Sequence, residues 1–380
     1  MYKTTGEAGI PDTPEEAPRS IAKPLPPERF IDYRAEDPSQ NHPVKDPGYN
    51  AEMRWRATTS SAEYLTPTEN FFVRSHAPTP FIDAATWELK IEGPSLGKSL
   101  GLGYGDLLGL PSVSITKALE CAGNGRVFFD ENHGREAPGT PWRLGAVGVA
   151  EWTGVPLREI LERANMKPSA RDIMAESLDG AGMRRPLPVE KALDDAIVAY
   201  GMNGEPLMPD HGFPARLIVP GWAAVASVKW LGRLFVSDER LFSPWNTEQY
   251  VLTGDGHDGS PVTRQVVKSA LELAWNAEIP AGENTIRGRS WSPTASIARV
   301  ECALDGEEWR EAAIEAPNLP GAWATWSFSV NLSPGGHTLR VRATDTDGDT
   351  QPEEPPFNDL GYLYGGVVGF PIRAIHESPH

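Results

Sequence analysis

The sequence has little cysteine, since Cys121 and Cys302 are the only two in 380 residues. Two cysteines so far apart give no disulfide framework, so their number does not fix the redox compartment. The Cys-x-x-Cys-His motif that attaches c-type haem is also missing. We therefore expect no haem in this chain.

Long apolar runs and an excess of basic residues are absent too. No apolar run approaches the roughly 18 residues of a membrane span, and the N-terminus lacks the basic-then-apolar pattern of a secretory leader. We expect a soluble, cytoplasmic chain without a membrane span; the alternative is a periplasmic protein whose leader was removed. The net charge of −17, from 52 acidic and 35 basic residues, would repel nucleic acids. Nucleic-acid binding is therefore not expected.

The length of the chain and the change in its secondary-structure pattern predict an N-terminal arm followed by two domains. A chain of 380 residues is longer than one core usually organises. Residues 1–60 are rich in proline, which favours an extended arm. Residues 61–262 mix strand patterns, such as 87–91, 113–119 and 217–220, with a helix pattern at 156–164. Residues 263–380 show short alternating strands separated by turns, which is typical of a β-sandwich. The predicted fold class is α+β.

The two cysteines have different surroundings in the sequence. Cys302 alternates with Val300 and Leu304 in a strand pattern, so it is expected to be a buried core residue. Cys121 instead ends a strand pattern and begins the glycine-rich loop Cys121-Ala122-Gly123-Asn124-Gly125-Arg126. A soft thiol at such a place suits a transition metal, although a purely structural cysteine is an open alternative.

The Cys121 loop resembles the Cys-Ala-Gly-Asn loop of the sulfite oxidase family of molybdenum enzymes. The segment at 71–76 is similar to the family's aromatic-Val-Arg-Asn-His motif, with Ser75 in place of asparagine. The longest similarity runs through residues 202–231, which include Asp210-His211-Gly212-Phe213-Pro214 and Ser227-Val228-Lys229-Trp230. The resemblance covers about residues 65–375. It identifies the chain as a bacterial-type member that lacks the haem domain of animal relatives.

The resemblance implies a molybdenum–molybdopterin cofactor in residues 61–262, with Cys121 as the metal ligand. A planar, anionic pterin needs an arginine fork, an ammonium group and several hydrogen-bond donors, and the matched residue types fit that need. Singly, each residue has a plain alternative, such as a turn histidine for His211 or a salt-bridged arginine for Arg216. The predicted cofactor-binding residues are Phe72, Val73, Arg74, Ser75, His76, Asp179, His211, Arg216, Ser227, Val228 and Lys229.

The resemblance also implies a substrate pocket beside Cys121. Arg74 and Arg126 are the candidates for binding an oxyanion. Trp142 would form a wall of the pocket, with a core tryptophan as the alternative. Tyr250 matches an active-site tyrosine whose hydroxyl hydrogen-bonds the substrate, and a packing tyrosine is its alternative.

The expected reaction is the oxidation of sulfite, a small oxyanion, to sulfate by oxygen-atom transfer at molybdenum. Electrons would pass to a separate acceptor such as a cytochrome c. The resemblance further implies that residues 263–380 form an immunoglobulin-like domain that makes a homodimer. The alternatives are a related oxo-transfer reductase acting on nitrate or a sulfoxide, and a cofactor-free binding or structural protein that kept the fold.

One departure bears on the substrate. Animal and plant sulfite oxidases place a further arginine in a Trp-Asn-Leu-Arg-Gly segment of the second domain. This chain has Phe357-Asn358-Asp359-Leu360-Gly361 there, without the arginine and with an acidic residue. A related small oxo-species is therefore an open alternative to sulfite. Compensation by Arg184 and Arg185, from a different loop, is the alternative, although we expect both to be solvated.

Overall fold

Residues 50 and 51 join the body of the protein through a short strand pair. The structure, a computed structural model, describes residues 50–53, 55 and 63–376. The predicted arm over residues 1–60 lies outside these residues, except for 50–53 and 55. Strand β1 (Asn50–Ala51) pairs antiparallel with β2 (Val73–Arg74), so it abuts the segment that carries Arg74.

The first region contains two five-stranded sheets with short helices at their edges. One sheet has the order β10-β9-β6-β5, with β11 also paired to β9, and the other has the order β4-β3-β12-β7-β8. The strands are β3 (Glu88–Glu92), β4 (Leu100–Gly103), β5 (Val113–Glu120), β6 (Val147–Pro156), β7 (Asp172–Ser177), β8 (Arg184–Pro188), β9 (Ile197–Met202), β10 (Glu205–Pro206), β11 (Arg216–Ile218) and β12 (Leu231–Ser237). The helices are α1 (Tyr104–Leu108), α2 (Val127–His133), α3 (Leu157–Arg163), α4 (Val189–Asp194) and α5 (Pro244–Thr247), with 3₁₀ turns at Thr68–Asn70, Pro209–His211 and Ala224–Ala226.

Hydrophobic spacing explains these elements. Helix α3 buries Leu157, Ile160 and Leu161 on one face, which confirms the helix predicted at 156–164. Strand β5 confirms the strand predicted at 113–119, and it carries the chain to Cys121. The predicted strands at 87–91 and 217–220 are confirmed as β3 and β11, with ends shifted by one or two residues.

The second region is a sandwich of two sheets, which confirms the predicted α+β fold class. Its sheets have the orders β13-β15-β19-β18 and β14-β21-β20-β16-β17. The strands are β13 (Lys268–Leu271), β14 (Ala277–Pro280), β15 (Gly282–Trp291), β16 (Ile297–Leu304), β17 (Arg310–Glu311), β18 (Ala313–Asn318), β19 (Trp323–Leu332), β20 (Gly335–Asp345) and β21 (Val368–Ile375). Cys302 is fully buried in the core between the sheets, as expected, and burial raises its pKa to about 12.

The two regions share a core. Phe128 and Phe129 of α2, which follows the Cys121 loop, pack in the same hydrophobic cluster as the tryptophans and valines of the sandwich. The sandwich is therefore in direct contact with the part of the first region that presents Cys121. Among the described residues, no helix has the length and apolar character required to cross a membrane.

Candidate active site

A cavity of about 700 Å³, open solvent included, lies in the first region where several loops converge. Its walls come from β2 and the residues around it, the end of β5, the loop after β7, and the 3₁₀ turns at Pro209–His211 and Ala224–Ala226. Most of the residues predicted for the site line this cavity together. They are Phe72, Val73, Arg74, Ser75, His76, Cys121, Asp179, His211, Arg216, Ser227, Val228, Lys229 and Tyr250.

Cys121 stands at the wall of this cavity and is buried. Its amide N–H donates to the Ala146 carbonyl at 2.9 Å, and its carbonyl accepts from the Asn124 N–H at 3.0 Å, which closes the loop as a turn. Gly125 has a φ of +89°, a left-handed conformation that side chains other than glycine rarely adopt. The glycine-rich loop thus presents a single soft sulfur ligand to the cavity.

Two cations lie elsewhere on the cavity wall, Arg216 buried and Lys229 half-buried. The Arg216 guanidinium donates to the carbonyls of His211 and Ser227, each at 3.0 Å, while its Nε is buried without a hydrogen-bond partner. Lys229 Nζ donates to Ser75 Oγ at 2.7 Å and to the Asp210 carbonyl at 2.9 Å. Burial lowers the pKa of Arg216 to about 9, and burial together with nearby Arg216 lowers the pKa of Lys229 to about 7.

These cations fit an anionic group. Neither Arg216 nor Lys229 forms an ion pair with a carboxylate among the residues that the structure describes. A desolvated cation without an ion-pair partner carries a penalty that a bound anion would offset, although Asp210 and Asp179 offset part of it for Lys229. The unpartnered Nε of Arg216 also offers a donor to such a ligand. The residues present therefore fit the phosphate of a pterin cofactor.

A second set of side chains surrounds the cavity near Tyr250. The Tyr250 hydroxyl lies 3.0 Å from His76 Nε2, and the Tyr250 ring stacks on Tyr362 with centroids 5.2 Å apart. Burial is the main cause that raises the pKa of Tyr250 well above its ordinary value, so its hydroxyl keeps its proton. Tyr362 donates its own hydroxyl hydrogen to the Gln249 carbonyl at 2.6 Å.

Arg126 is buried behind this aromatic pair and is not one of the cavity-lining residues. Its Nε donates to the Leu360 carbonyl at 3.1 Å and its Nη1 to the Thr140 carbonyl at 2.9 Å. The guanidinium lies over the Tyr362 ring, 5.1 Å from its centroid. Glycine at position 123 makes room for it, because a Cβ there would lie 2.8 Å from Arg126 Nη2.

Trp142 also lies away from the cavity wall. It is fully buried in the large core of the first region, in the same cluster as Cys121. This position agrees with the alternative of a core tryptophan, because its side chain is fully buried and is not among the cavity-lining residues.

The expectation that Arg185 is solvated is wrong, whereas Arg184 is exposed as expected. Arg185 is 2% exposed, because alternation along β8 turns it inward when Arg184 faces outward. Its guanidinium donates to the carbonyls of Trp245 and Val262, and its Nε is buried without a partner. Burial lowers its pKa to about 10.

Sequence reasoning missed Tyr362 entirely. Tyr362 follows Gly361 directly, in the segment that matches the family's Trp-Asn-Leu-Arg-Gly. That position in the sequence is the signal that could have indicated it. Because the Leu360 carbonyl accepts from Arg126 and Tyr362 stacks on Tyr250, this segment of the second region packs directly behind the cavity-lining Tyr250.

Comparison with known proteins agrees with this geometry. Residues 76–245 match the oxidoreductase molybdopterin binding domain, and residues 261–365 match the Mo-co oxidoreductase dimerisation domain. The sulfite oxidase of Gallus gallus is 32% identical over 366 residues, which cover 87% of this chain and 79% of that protein. The mitochondrial sulfite oxidase of Rattus norvegicus is 32% identical over 365 residues, and the chain spans only 66% of its length.

The similar proteins also include enzymes that are not named sulfite oxidases. An NADH nitrate reductase of Solanum lycopersicum is 30% identical over 347 residues, or 79% of this chain and 37% of that protein. Among solved structures, the sulfane dehydrogenase SoxCD from Paracoccus pantotrophus superposes with a TM-score of 0.79 at 27% identity. That match covers 97% of this chain and 93% of the other.

Proposed function

Because the chain belongs to the sulfite oxidase family of molybdopterin-dependent oxidoreductases, we propose that it oxidises a small sulfur anion and passes the electrons to a separate acceptor. The observation that carries this proposal is a cavity whose wall holds a buried thiol, Cys121, and two cations that have no ion-pair partner among the described residues. The cations are Arg216, which is buried, and Lys229, which is half-buried. A metal-binding sulfur and an anion site in one cavity are what a phosphate-bearing metal cofactor requires.

The chain's own residues have separate tasks in holding the cofactor. Arg216 and Lys229 would bind its phosphate, the first with its unpartnered Nε and the second with its ammonium group. His211, Ser227 and Asp179 offer polar groups to the pterin edges. Cys121 supplies the protein ligand to molybdenum. When bound, the cofactor supplies oxygen-atom transfer and two-electron redox chemistry, which side chains alone do not provide.

The substrate end must attract an anion and exclude competing groups. Arg74 lines the cavity, and Arg126 and Arg185 add positive charge behind Tyr362 and Tyr250. Each charge-assisted hydrogen bond to the substrate contributes about 1.5–3 kcal/mol. Because burial keeps Tyr250 protonated, its hydroxyl can donate to a substrate oxygen. Sulfite, a compact oxyanion, is the first proposed substrate.

Sulfane sulfur is a second candidate substrate, favoured by a specific observation. The family's second-domain arginine is missing, and the segment presents exposed Asp359 and the carbonyl of Leu360 instead. That segment therefore adds no cation to the pocket. The extensive structural likeness to a sulfane dehydrogenase supports the same alternative. A larger, less charged sulfur group needs fewer cations than sulfite does.

A combined assay tests these proposals. Protein made in a molybdenum-replete host is expected to contain near-stoichiometric molybdenum and pterin. Cys121→Ala, which lacks the proposed metal ligand, is the control for turnover. Turnover is then measured with an artificial electron acceptor for sulfite and for glutathione persulfide, and with a reduced dye for nitrate and a sulfoxide. Oxidation of sulfite supports the first candidate and exclusive oxidation of the persulfide supports the second. Reduction of nitrate or the sulfoxide without either oxidation, or protein free of molybdenum, would contradict the proposal.

The match of residues 261–365 to a dimerisation domain supports the further proposal that the protein forms a homodimer. Light scattering on the purified protein tests it, since a monomer mass at micromolar concentration would contradict it.

A further inference from the structure

We propose that Lys268, on the first strand of the sandwich, positions the loop that carries Cys121, so that the second domain is part of the metal-ligand site. Lys268 Nζ lies 2.6 Å from Glu120 Oε1, and both side chains are 2% exposed. The same ammonium group donates to the Asn124 carbonyl at 2.9 Å. One side chain of the second domain therefore joins the residue before Cys121 to the residue three positions after it.

Other bonds close a network around Glu120. Asn124 Nδ2 donates to Glu120 Oε1 at 2.9 Å, and Trp291 Nε1 donates to Glu120 Oε2 at 3.0 Å. Gln265 Nε2 donates to the Glu120 carbonyl at 2.8 Å. Gln265, Lys268 and Trp291 all lie within the matched dimerisation domain. The loop is thus bonded on both sides of Cys121 to side chains from outside the cofactor-binding domain.

The energetics favour a positioning role over a stabilising one. The desolvation penalty of two buried charges often exceeds the Coulombic energy of their attraction. A buried ion pair is therefore weak evidence for stability. Both carboxylate oxygens of Glu120 have hydrogen-bond donors, although Gln265 Oε1 has no partner, and a buried network of this kind fixes one geometry of the groups it joins. Groups that orient a metal ligand without touching the metal commonly act in this way. Lys268 and its partners hold the backbone on either side of the sulfur.

This inference rests on the proposed function only in treating Cys121 as a metal ligand. Its direct test uses the cofactor-free protein, in which alkylation of Cys121 by iodoacetamide at fixed pH reports how often the loop opens. Cys302 does not interfere, because it is fully buried and its pKa is raised to about 12. We expect Lys268→Met to speed alkylation of Cys121 by about tenfold or more.

A matched control separates positioning from general loss of stability. Arg289 and Glu272 form another buried ion pair in the same domain, 2.5 Å apart and each 8% exposed, without a bond to the Cys121 loop. Arg289→Met is expected to lower the melting temperature but to leave the alkylation rate within about twofold of wild type. Equal acceleration in both variants, or a wild-type rate in Lys268→Met, would overturn the inference.

Two further measurements keep the test decisive. If Lys268→Met does not fold, the double variant Glu120→Gln/Lys268→Met leaves no unpaired buried charge and still lacks the lysine's bonds. It should again be alkylated about tenfold faster, and a wild-type rate would count against the inference. In loaded protein, the sulfur-to-molybdenum charge-transfer absorption should shift in Lys268→Met and not in Arg289→Met. If wild type binds no molybdenum, the proposed function fails, whereas the alkylation rates still decide the role of Lys268.

Discussion

Replacing Lys229 is expected to weaken anion binding without preventing folding. Lys229 is half-buried near Arg216, makes hydrogen bonds to Ser75 and the Asp210 carbonyl, and has a pKa lowered to about 7, chiefly by desolvation. Replacement by methionine keeps most of the apolar volume and removes the charge. The expected result is a fold that survives and an anion site that is weakened.

The magnitude follows from the lost bond and from the pKa. One charge-assisted hydrogen bond to an anion contributes about 1.5–3 kcal/mol, so Lys229→Met should bind an anion about 10- to 150-fold more weakly. Lys229 is deprotonated above pH 7 in the folded protein but only above its ordinary 10.5 when unfolded. The unfolded chain therefore binds more protons in this window. Stability of the cofactor-free wild type should rise from about pH 7 toward 10.5, and Lys229→Met should lack this contribution.

The assay is thermal unfolding of cofactor-free protein with increasing sulfate, whose charge is constant from about pH 6 to pH 9. Wild type should be stabilised by sulfate more strongly at the lower pH, because anion binding requires protonated Lys229. Lys90→Met, at an exposed lysine on β3, is the control and should behave as wild type. If Lys229→Met kept both the sulfate response and its pH dependence, the assignment of Lys229 to an anion site would be refuted.

Three further substitutions test the substrate end and the metal ligand. Cys121→Ala should abolish turnover with little change in melting temperature, and retained turnover would remove the thiol from the mechanism. Arg126→Gln should raise KM with pterin content unchanged, because its charge lies behind Tyr362 and attracts the substrate anion without touching it; loss of pterin would show that it holds the cofactor instead. Arg185→Met should raise the KM for sulfite several-fold, whereas Arg184→Met should not. Equal KM values in the two variants would show that Arg185 has only a structural role, through its bonds to the Trp245 and Val262 carbonyls.

Local patterns in the sequence were sufficient for the fold, and the family resemblance selected cofactor-site candidates that the structure brings together in one cavity. Alternation predicted β5 and the strands of the sandwich, and helical spacing predicted α3, because each element buries one face. The assignment to the sulfite oxidase family is confirmed by the comparisons. The cofactor-end residues lie in short segments, such as 71–76 and 227–229, so their neighbours in sequence are also neighbours in the cavity.

The substrate end was harder because it is assembled from distant segments. Arg185 was expected in solvent, since an arginine pair gives no sign of which member faces inward until the strand is placed. Tyr362 belongs to the second domain and lies more than 100 residues after Tyr250 in the sequence. Its ring contact with Tyr250 is therefore not indicated by any local pattern. The bond between Lys268 and Glu120 likewise joins residues 148 positions apart.

X-ray absorption at the molybdenum edge tests the central claim most directly, because it counts the sulfur atoms bound to the metal. Wild-type protein and Cys121→Ala would be compared, each loaded in the same molybdenum-replete host. The account predicts one molybdenum–sulfur bond fewer in Cys121→Ala than in wild type. Equal sulfur counts, or a wild-type protein with no molybdenum to measure, would contradict it.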